Sequence, residues 1–171
     1  MAKPRNLMQL PADLPIPEND GACDHLTGVA VPSIALPSTA GGTVNLAKTA
    51  SPRTVVYAYP RTGQPGRPGP PGWDDIPGAR GCTPQSCSFG DHYAELGALG
   101  AEVYGLSTQT TDYHQEMVER LRLPFPVLSD STLAFAYALD LPLFEWDGKT
   151  LIKRLTLILR GGLIEHVFYP V

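Results

Sequence analysis

The feature that most constrains the fold is a series of short apolar runs separated by helical segments. The run TVVYAYP (residues 54–60) is continuous, β-branched and aromatic, which is typical of a strand buried on both faces. EVYGLST (102–108) and PFPVLSD (124–130) have the same character. The segments after these runs show helical periodicity, for example from Phe89 to Leu96. This alternation of strands and helices predicts an α/β fold, in which helices pack in layers against a sheet.

The end of the chain predicts an antiparallel hairpin. TLIKRLTLIL (150–159) and LIEHVFYPV (163–171) are two apolar runs joined at Gly161-Gly162. A hairpin that follows parallel strands makes the predicted sheet mixed, with helices on both faces.

Composition and charge narrow the class of protein. The 171 residues are 43% apolar and 18% charged, and the net charge is −4. Such a chain suits one globular domain, and it gives no electrostatic reason to expect nucleic acid or an anionic membrane as a partner. No stretch approaches the roughly 20 apolar residues that cross a bilayer.

The domain plan has three parts. Residues 1–24 are proline-rich without periodicity and are predicted to form an arm, whereas residues 25–171 form the domain. Residues 61–80, rich in glycine and proline, are an inserted loop. The basic N-terminus is not followed by an apolar segment, and three cysteines are too few for a secreted disulfide framework. We therefore expect a cytoplasmic protein.

Two of the cysteines lie in GARGCTPQSCSFGDHY (78–93). Thr83 followed by Pro84 is a strong helix-start signal, with Thr83 as the N-cap. Cys82 is therefore predicted to lie at a helix N-terminus, where unpaired backbone N–H groups and the helix dipole favour a thiolate.

A helix terminus alone is not sufficient to ionise a thiol at neutral pH. Lowering a pKa from about 8.5 to about 6 requires roughly 3.4 kcal/mol, whereas a helix terminus supplies at most about 2 kcal/mol. A cation must contribute the remainder. Arg80 is near in sequence, and Arg154 lies within an apolar run, where an arginine is costly without an anionic partner. The alternative for Arg154 is an edge-strand position that faces solvent.

Cys87 follows Cys82 by five residues. In an intact helix their Cα atoms would be about 8.6 Å apart, and a disulfide needs less than about 7 Å. The pair can therefore bond only if the first turns unwind. Three other readings are open: a pair of inert thiols, a zinc site completed by His92, or a static structural disulfide.

The chain resembles a known family over roughly residues 26–169. The motifs VVYAYP, GCTPQSCSF, VYGLST, LPFPVLSD and KRLTLIL are together similar to those of peroxiredoxins of the bacterioferritin-comigratory (PrxQ) type. The resemblance implies a thioredoxin-like fold and a thiol peroxidase without metal or organic cofactor. It implies that Cys82 is the peroxidatic cysteine, Cys87 the resolving cysteine, and Arg154 the arginine that holds thiolate and peroxide.

The family pattern also indicates where substrate binds. It places Pro60, Gly81 and Thr83 in the loop and first turn that surround the peroxide. The family carries a threonine three residues before its peroxidatic cysteine, but this chain has Ala79 there. Thr62 or Thr83 could supply a substitute hydroxyl.

Several features lie outside the family pattern. Trp73, in the insertion, either folds over the mouth of the active site or anchors a surface loop. The chain shows no helix after its last strand, so either the arm covers that sheet face or a partner does. Cys23 is predicted to be an exposed thiol on a mobile arm. The four histidines are predicted to be surface or structural residues.

The expected activity is reduction of hydrogen peroxide and organic hydroperoxides, with recycling by a thioredoxin-like dithiol, in a monomer or weak dimer. A first alternative is a dithiol–disulfide oxidoreductase for protein substrates. Such enzymes use CxxC and a cis-proline, and this chain has CxxxxC and, at the proline position, Lys153-Arg154. A second alternative is a redox-controlled binding protein.

Overall fold

The computed structural model describes residues 6–171 and is built around a mixed sheet of five strands. Its strands are β3 (Arg53–Ala58), β4 (Ala101–Ser107), β5 (Val127–Ser129), β8 (Leu155–Arg160) and β9 (Leu163–Phe168). Their order across the sheet is β5-β4-β3-β8-β9. The strands β3, β4 and β5 are parallel, and β8 and β9 close the sheet in antiparallel register.

The remaining strands form two small hairpins, and within residues 6–171 four α-helices complete the fold. The hairpins are β1 (Ala35–Pro37) with β2 (Thr43–Asn45), and β6 (Leu143–Trp146) with β7 (Lys149–Ile152). The helices are α1 (Cys82–Asp91), α2 (Tyr93–Ala98), α3 (Thr111–Leu121) and α4 (Ala134–Ala138). Within residues 6–171, none of the helices has the length and apolar character that crossing a membrane requires.

Each face of the sheet carries its own apolar core. In β3, Tyr57 points to a cluster that α3 joins through Met117, whereas Val56 points to a cluster that α4 joins through Phe135. Successive side chains of β3 point to opposite faces and therefore pack into two separate apolar cores. The predicted α/β architecture, with a mixed sheet and helices on both faces, is confirmed.

The final hairpin is confirmed, but its first strand is shorter than predicted. Gly161 and Gly162 form the turn with φ of 58° and 77°. The apolar run 150–159 breaks at Lys153-Arg154, so that its first part pairs with β6 and its second part joins β3. The prediction of one continuous strand was wrong because the Arg154 side chain is buried and donates to loop carbonyls and to side chains of α1.

The N-terminal region enters the core at Cys23, two residues before the predicted start of the domain at residue 25. Residues 1–5 lie outside the described part, but Cys23 and Leu26 are 6% and 0% exposed and pack with Ile164 of β9. The backbone N–H of Gly28 also donates to Ile164 O at 2.8 Å. This segment runs along the outer edge of β9 and packs against one face of the closing hairpin. The prediction that Cys23 is an exposed thiol was wrong, and burial raises its pKa to about 11.

Replacing Leu26 by alanine tests whether the N-terminal region is part of the core. Leu26→Ala is expected to lower the free energy of unfolding by about 2–5 kcal/mol, because it leaves a cavity at a fully buried site. Leu99 is 77% exposed, so Leu99→Ala should change stability by less than about 0.5 kcal/mol. Urea unfolding measures both, and equal effects would contradict the packing of this region.

Candidate active site

The helix that carries the cysteine pair begins at Cys82 and has Gly81 as its N-cap. Gly81 has φ 108°, a conformation that other residues rarely adopt, and a Cβ there would lie 3.4 Å from Leu10 Cδ2. The predicted N-cap Thr83 was wrong, since Thr83 and Pro84 are the second and third helical residues. Proline is tolerated in the first turn, so the sequence signal was displaced by two positions rather than absent.

Contacts between α1 and the sheet fix the position of the helix. Tyr57 Oη donates to Ser86 Oγ at 3.0 Å, and the Tyr57 ring stacks on Phe89 with centroids 4.5 Å apart. Gly105 in β4 makes this possible, because a Cβ there would lie 2.8 Å from Tyr57 Oη. The middle of α1 is therefore anchored to the central strand, and Cys82 in the first turn is only 3% exposed.

Arg154 lies directly against the sulfur of Cys82. Its Nη2 donates to Cys82 Sγ at 3.0 Å and to Arg80 O at 3.2 Å, and its Nε donates to Gly78 O at 3.1 Å. Its Nη1 donates to Gln85 Oε1. Arg154 is 7% exposed, so the solvent-facing alternative is excluded. Among residues 6–171 no carboxylate pairs with it, which leaves its positive charge directed at the sulfur.

Cys87 lies further along the same helix and is not bonded to Cys82. Both cysteines are free thiols, and α1 is wound without interruption between them. The Cys87 thiol lies 4.0 Å from Met8 Sδ. Its pKa is raised by burial and by the nearby charge of Asp91, and Arg120 opposes the increase. Both burial and Asp91 therefore disfavour the thiolate of Cys87 in the wound helix.

A cavity of about 30 Å³ opens beside Cys82. Of the positions predicted to bind substrate, Gly81 and Thr83 line it, whereas Pro60 borders a neighbouring cavity of about 410 Å³ together with Arg154. Thr62 also lines the small cavity, but its hydroxyl donates to Gln109 Oε1 at 3.3 Å.

The insertion is anchored at Trp73 and also reaches the cavity. Trp73 is 5% exposed and lies against Phe144 and Trp146, each with ring centroids 6.3 Å away. It also lines the small cavity beside Cys82. Ala79, at the position of the family threonine, packs in the same cluster as Trp73 and is 1% exposed. The insertion is therefore anchored to the domain by Trp73, and it also forms part of the wall of the small cavity.

Of the four histidines, only His114 is buried. His25, His92 and His166 are exposed, whereas His114 shares a 2.6 Å hydrogen bond between Nε2 and Ser107 Oγ. Burial lowers the pKa of His114 to about 4. Within residues 6–171 no group of three or more histidine, cysteine or acidic side chains could hold a metal ion.

Sequence reasoning missed two sets of residues at this site. Gln85 is one of them, and its signal was available, since it follows Cys82 by three residues and shares its helix face. The other is the segment Asn6–Leu10, which reaches the cavity through Leu7. Its sequence NLMQL carries three apolar residues beside a proline, a weak indication that it packs on the domain.

Comparisons with known proteins agree with this arrangement. The profile of the Redoxin family matches residues 26–171. A chloroplastic peroxiredoxin Q of rice (Oryza sativa subsp. japonica) is 30% identical over 166 residues, which cover 92% of this chain and 68% of the rice protein. The chain belongs to the redoxin family, in its peroxiredoxin Q group.

Two further similar proteins match different shares of this chain. A chloroplastic peroxiredoxin Q of Populus jackii is 37% identical over 103 residues, and the match spans 60% of this chain and 41% of the poplar protein. The structure of peroxidoxin BcpB from Mycobacterium tuberculosis superposes with a TM-score of 0.67 at 24% identity, covering 84% of this chain and 86% of that one. The second similarity shows the thioredoxin-like peroxiredoxin fold.

His114 gives the stability of this redoxin a definite pH dependence. Its pKa is about 4 in the folded protein and 6.5 when unperturbed, so the unfolded chain binds a proton first. The free energy of unfolding therefore falls by about 3 kcal/mol as the pH drops from 6.5 towards 4. Above pH 6.5 His114 is neutral in both states, and its contribution to stability is complete. In His114→Gln this part of the decline should be missing. Urea unfolding across that range compares the two, and equal slopes would contradict it.

Proposed function

We propose that this protein is a thiol peroxidase that reduces hydrogen peroxide and organic hydroperoxides. The observation that carries the proposal is the 3.0 Å contact between Arg154 Nη2 and Cys82 Sγ at the first residue of α1. A guanidinium and a helix N-terminus both favour a thiolate, which is the reactive form of cysteine. The names of the curated relatives support the same activity.

In the proposed first step, the Cys82 thiolate attacks one oxygen of the peroxide. The S–O bond forms as the O–O bond breaks, the sulfur is oxidised to a sulfenic acid, and the departing oxygen leaves as water or an alcohol after taking a proton. Arg154 and the free N–H groups of the first turn of α1 would stabilise the charge that moves onto the departing oxygen. Gly81 and Thr83 line the cavity in which that oxygen would lie.

In the proposed second step, the Cys87 thiol condenses with the sulfenic acid. A disulfide forms between Cys82 and Cys87, and water leaves with the sulfenic oxygen. Since α1 separates the two residues by more than a disulfide allows, its first turns must unwind. An external dithiol of the thioredoxin type would then reduce the disulfide and itself become oxidised. We further propose that the protein works as a monomer or weak dimer in the cytoplasm.

Removing the guanidinium tests the first step. Arg154→Ala is expected to slow the reaction of peroxide with Cys82 by about 10²-fold, as removal of one oxyanion donor does in other enzymes. Arg154→Lys should lie between, because it retains the charge but not the forked donors. Arg160→Ala is the matched control, since Arg160 is exposed and 3.4 Å from Glu165. Stopped-flow fluorescence measures the rates. Equal rates in Arg154→Ala and the control would remove Arg154 from the mechanism.

Replacing the resolving cysteine tests the second step. After one equivalent of peroxide, the wild type should lose two hydrogens in intact mass, and a dithiol should restore them. Cys87→Ser should instead gain one oxygen on Cys82 and stop after one turnover.

Two further variants complete this experiment. Cys82→Ser should not react, and Cys23→Ala should behave as the wild type. Sustained turnover of Cys87→Ser with a thioredoxin-type dithiol would show that Cys87 does not resolve the sulfenic acid.

A further inference from the structure

The N-terminal segment Asn6–Leu10, which we name the strap, crosses the mouth of the candidate active site. It reaches from Gly63, beside which Leu7 lies, to Cys87, whose thiol is 4.0 Å from Met8 Sδ. Leu10 lies over Gly81, the N-cap of the reactive helix. The strap therefore passes over both cysteines of the proposed cycle.

One side chain fixes the strap in place. Arg80 Nη2 donates to Asn6 O at 2.9 Å and to Gln9 O at 3.2 Å, and its Nε lies 4.0 Å from Asp74 Oδ1. The Arg80 side chain is only 9% exposed. Arg80 stands two residues before the reactive cysteine and itself lines the small cavity, so it holds the strap beside that cavity.

Leu7 is the strap residue that lines the cavity beside the reacting sulfur. It is half-buried and lines the small cavity beside Cys82, whereas Met8 and Leu10 are 54% and 53% exposed. A Cβ at Gly63 would lie 3.1 Å from Leu7 Cδ2, so the glycine leaves the space that Leu7 occupies. Leu7 thus forms one wall of the cavity in which the peroxide would react.

The volume of that cavity limits its contents. About 30 Å³ is close to the share of one molecule in liquid water, and pockets for drug-sized ligands hold about 300 Å³ or more. The larger cavity of about 410 Å³ is lined by Arg154 but not by Cys82. A third cavity, of about 250 Å³, shares Leu7, Gly63 and Arg80 with the small one, but Cys82 does not line it. An organic group on the peroxide would have to pass Leu7 to reach that volume.

We propose that the strap, through Leu7, is a specificity element that restricts Cys82 to hydrogen peroxide and the smallest alkyl hydroperoxides. The proposal rests on the proposed peroxidase function. Arg80 is a positioning residue in it, because it acts on the cavity by holding the strap. Both residues lie outside the motifs that place the chain in its family.

Leu7→Ala in the full chain is the test, with Ile16→Ala as the matched control, because Ile16 is an apolar residue before the domain and is 85% exposed. The readout is the ratio of kcat/KM for cumene hydroperoxide to that for hydrogen peroxide. Leu7→Ala should raise this ratio about ten-fold, the low end of the effect of one methylene in a pocket. Arg80→Ala should raise it too, whereas a merely structural role would lower both rates alike. An unchanged ratio in Leu7→Ala would overturn the proposal.

A second measurement separates the strap from the peroxidase function. Iodoacetamide and the bulky N-(1-pyrenyl)maleimide both alkylate thiols without peroxide, and peptide mass mapping follows Cys82 alone. Leu7→Ala should accelerate the bulky reagent selectively, and Ile16→Ala should not. Equal selectivity in Leu7→Ala and the wild type would overturn the role of Leu7. If the wild type consumes neither peroxide, the proposed peroxidase function is overturned. This holds even if alkylation shows that Leu7 limits the access of bulky reagents to Cys82.

Discussion

The contact between Arg154 and Cys82 organises the site and the loops around it. A buried guanidinium is costly unless its donors are paired, and here backbone carbonyls and Gln85 take those that do not face the sulfur. Gly78 and Arg80 supply carbonyls from the end of the insertion, so the same arginine fixes that loop. The break between β7 and β8 allows the side chain to leave the sheet and reach α1. The Arg154 guanidinium therefore connects the sheet, the insertion and the reactive helix.

The reactive helix has to satisfy two opposed requirements. It must hold Cys82 beside Arg154, and in the proposed cycle it must unwind to bring Cys87 to the same sulfur. Its ends are weakly stabilised, because Gly81 provides no side-chain cap and Gly90 lies inside the last turn. Its middle is firmly anchored by Ser86 and Phe89 on Tyr57. Local unwinding is therefore easiest in the first turn, where the chemistry requires it.

The sequence predicts correctly those structural elements that depend on residues close together in the chain. The buried strand around Tyr57 and the turn at Gly161-Gly162 follow from apolar character and backbone conformation, which the sequence shows directly. The break at Arg154 was missed because the apolar run continues on both sides of it, although Asp147-Gly148 signalled the preceding turn. Each of these two residues has positive φ, as a type I′ turn requires.

The site was predictable to the extent that its residues lie in motifs. Cys82, Cys87 and Arg154 stand in the family pattern. The N-cap is Gly81 rather than Thr83, because the backbone at position 81 has φ 108°, a conformation that residues with a side chain rarely adopt. The loop that enters the helix sets this conformation, and the helix-start signal of Thr83 and Pro84 does not contain it.

The burial of Cys23 and the position of Leu7 were also beyond sequence reasoning. A proline-rich segment without periodicity gives no sign of which surface it covers. The structure joins it to the site through Leu7 at the cavity and through Met8 at Cys87, among other contacts. Because the middle of α1 is anchored at Ser86 and Phe89, unwinding of its first turn would move Cys82 towards Cys87, and the proposed strap would keep its contact with Cys87 through Met8. Selection of substrate and exposure of the disulfide to its reductant would then depend on the same five residues.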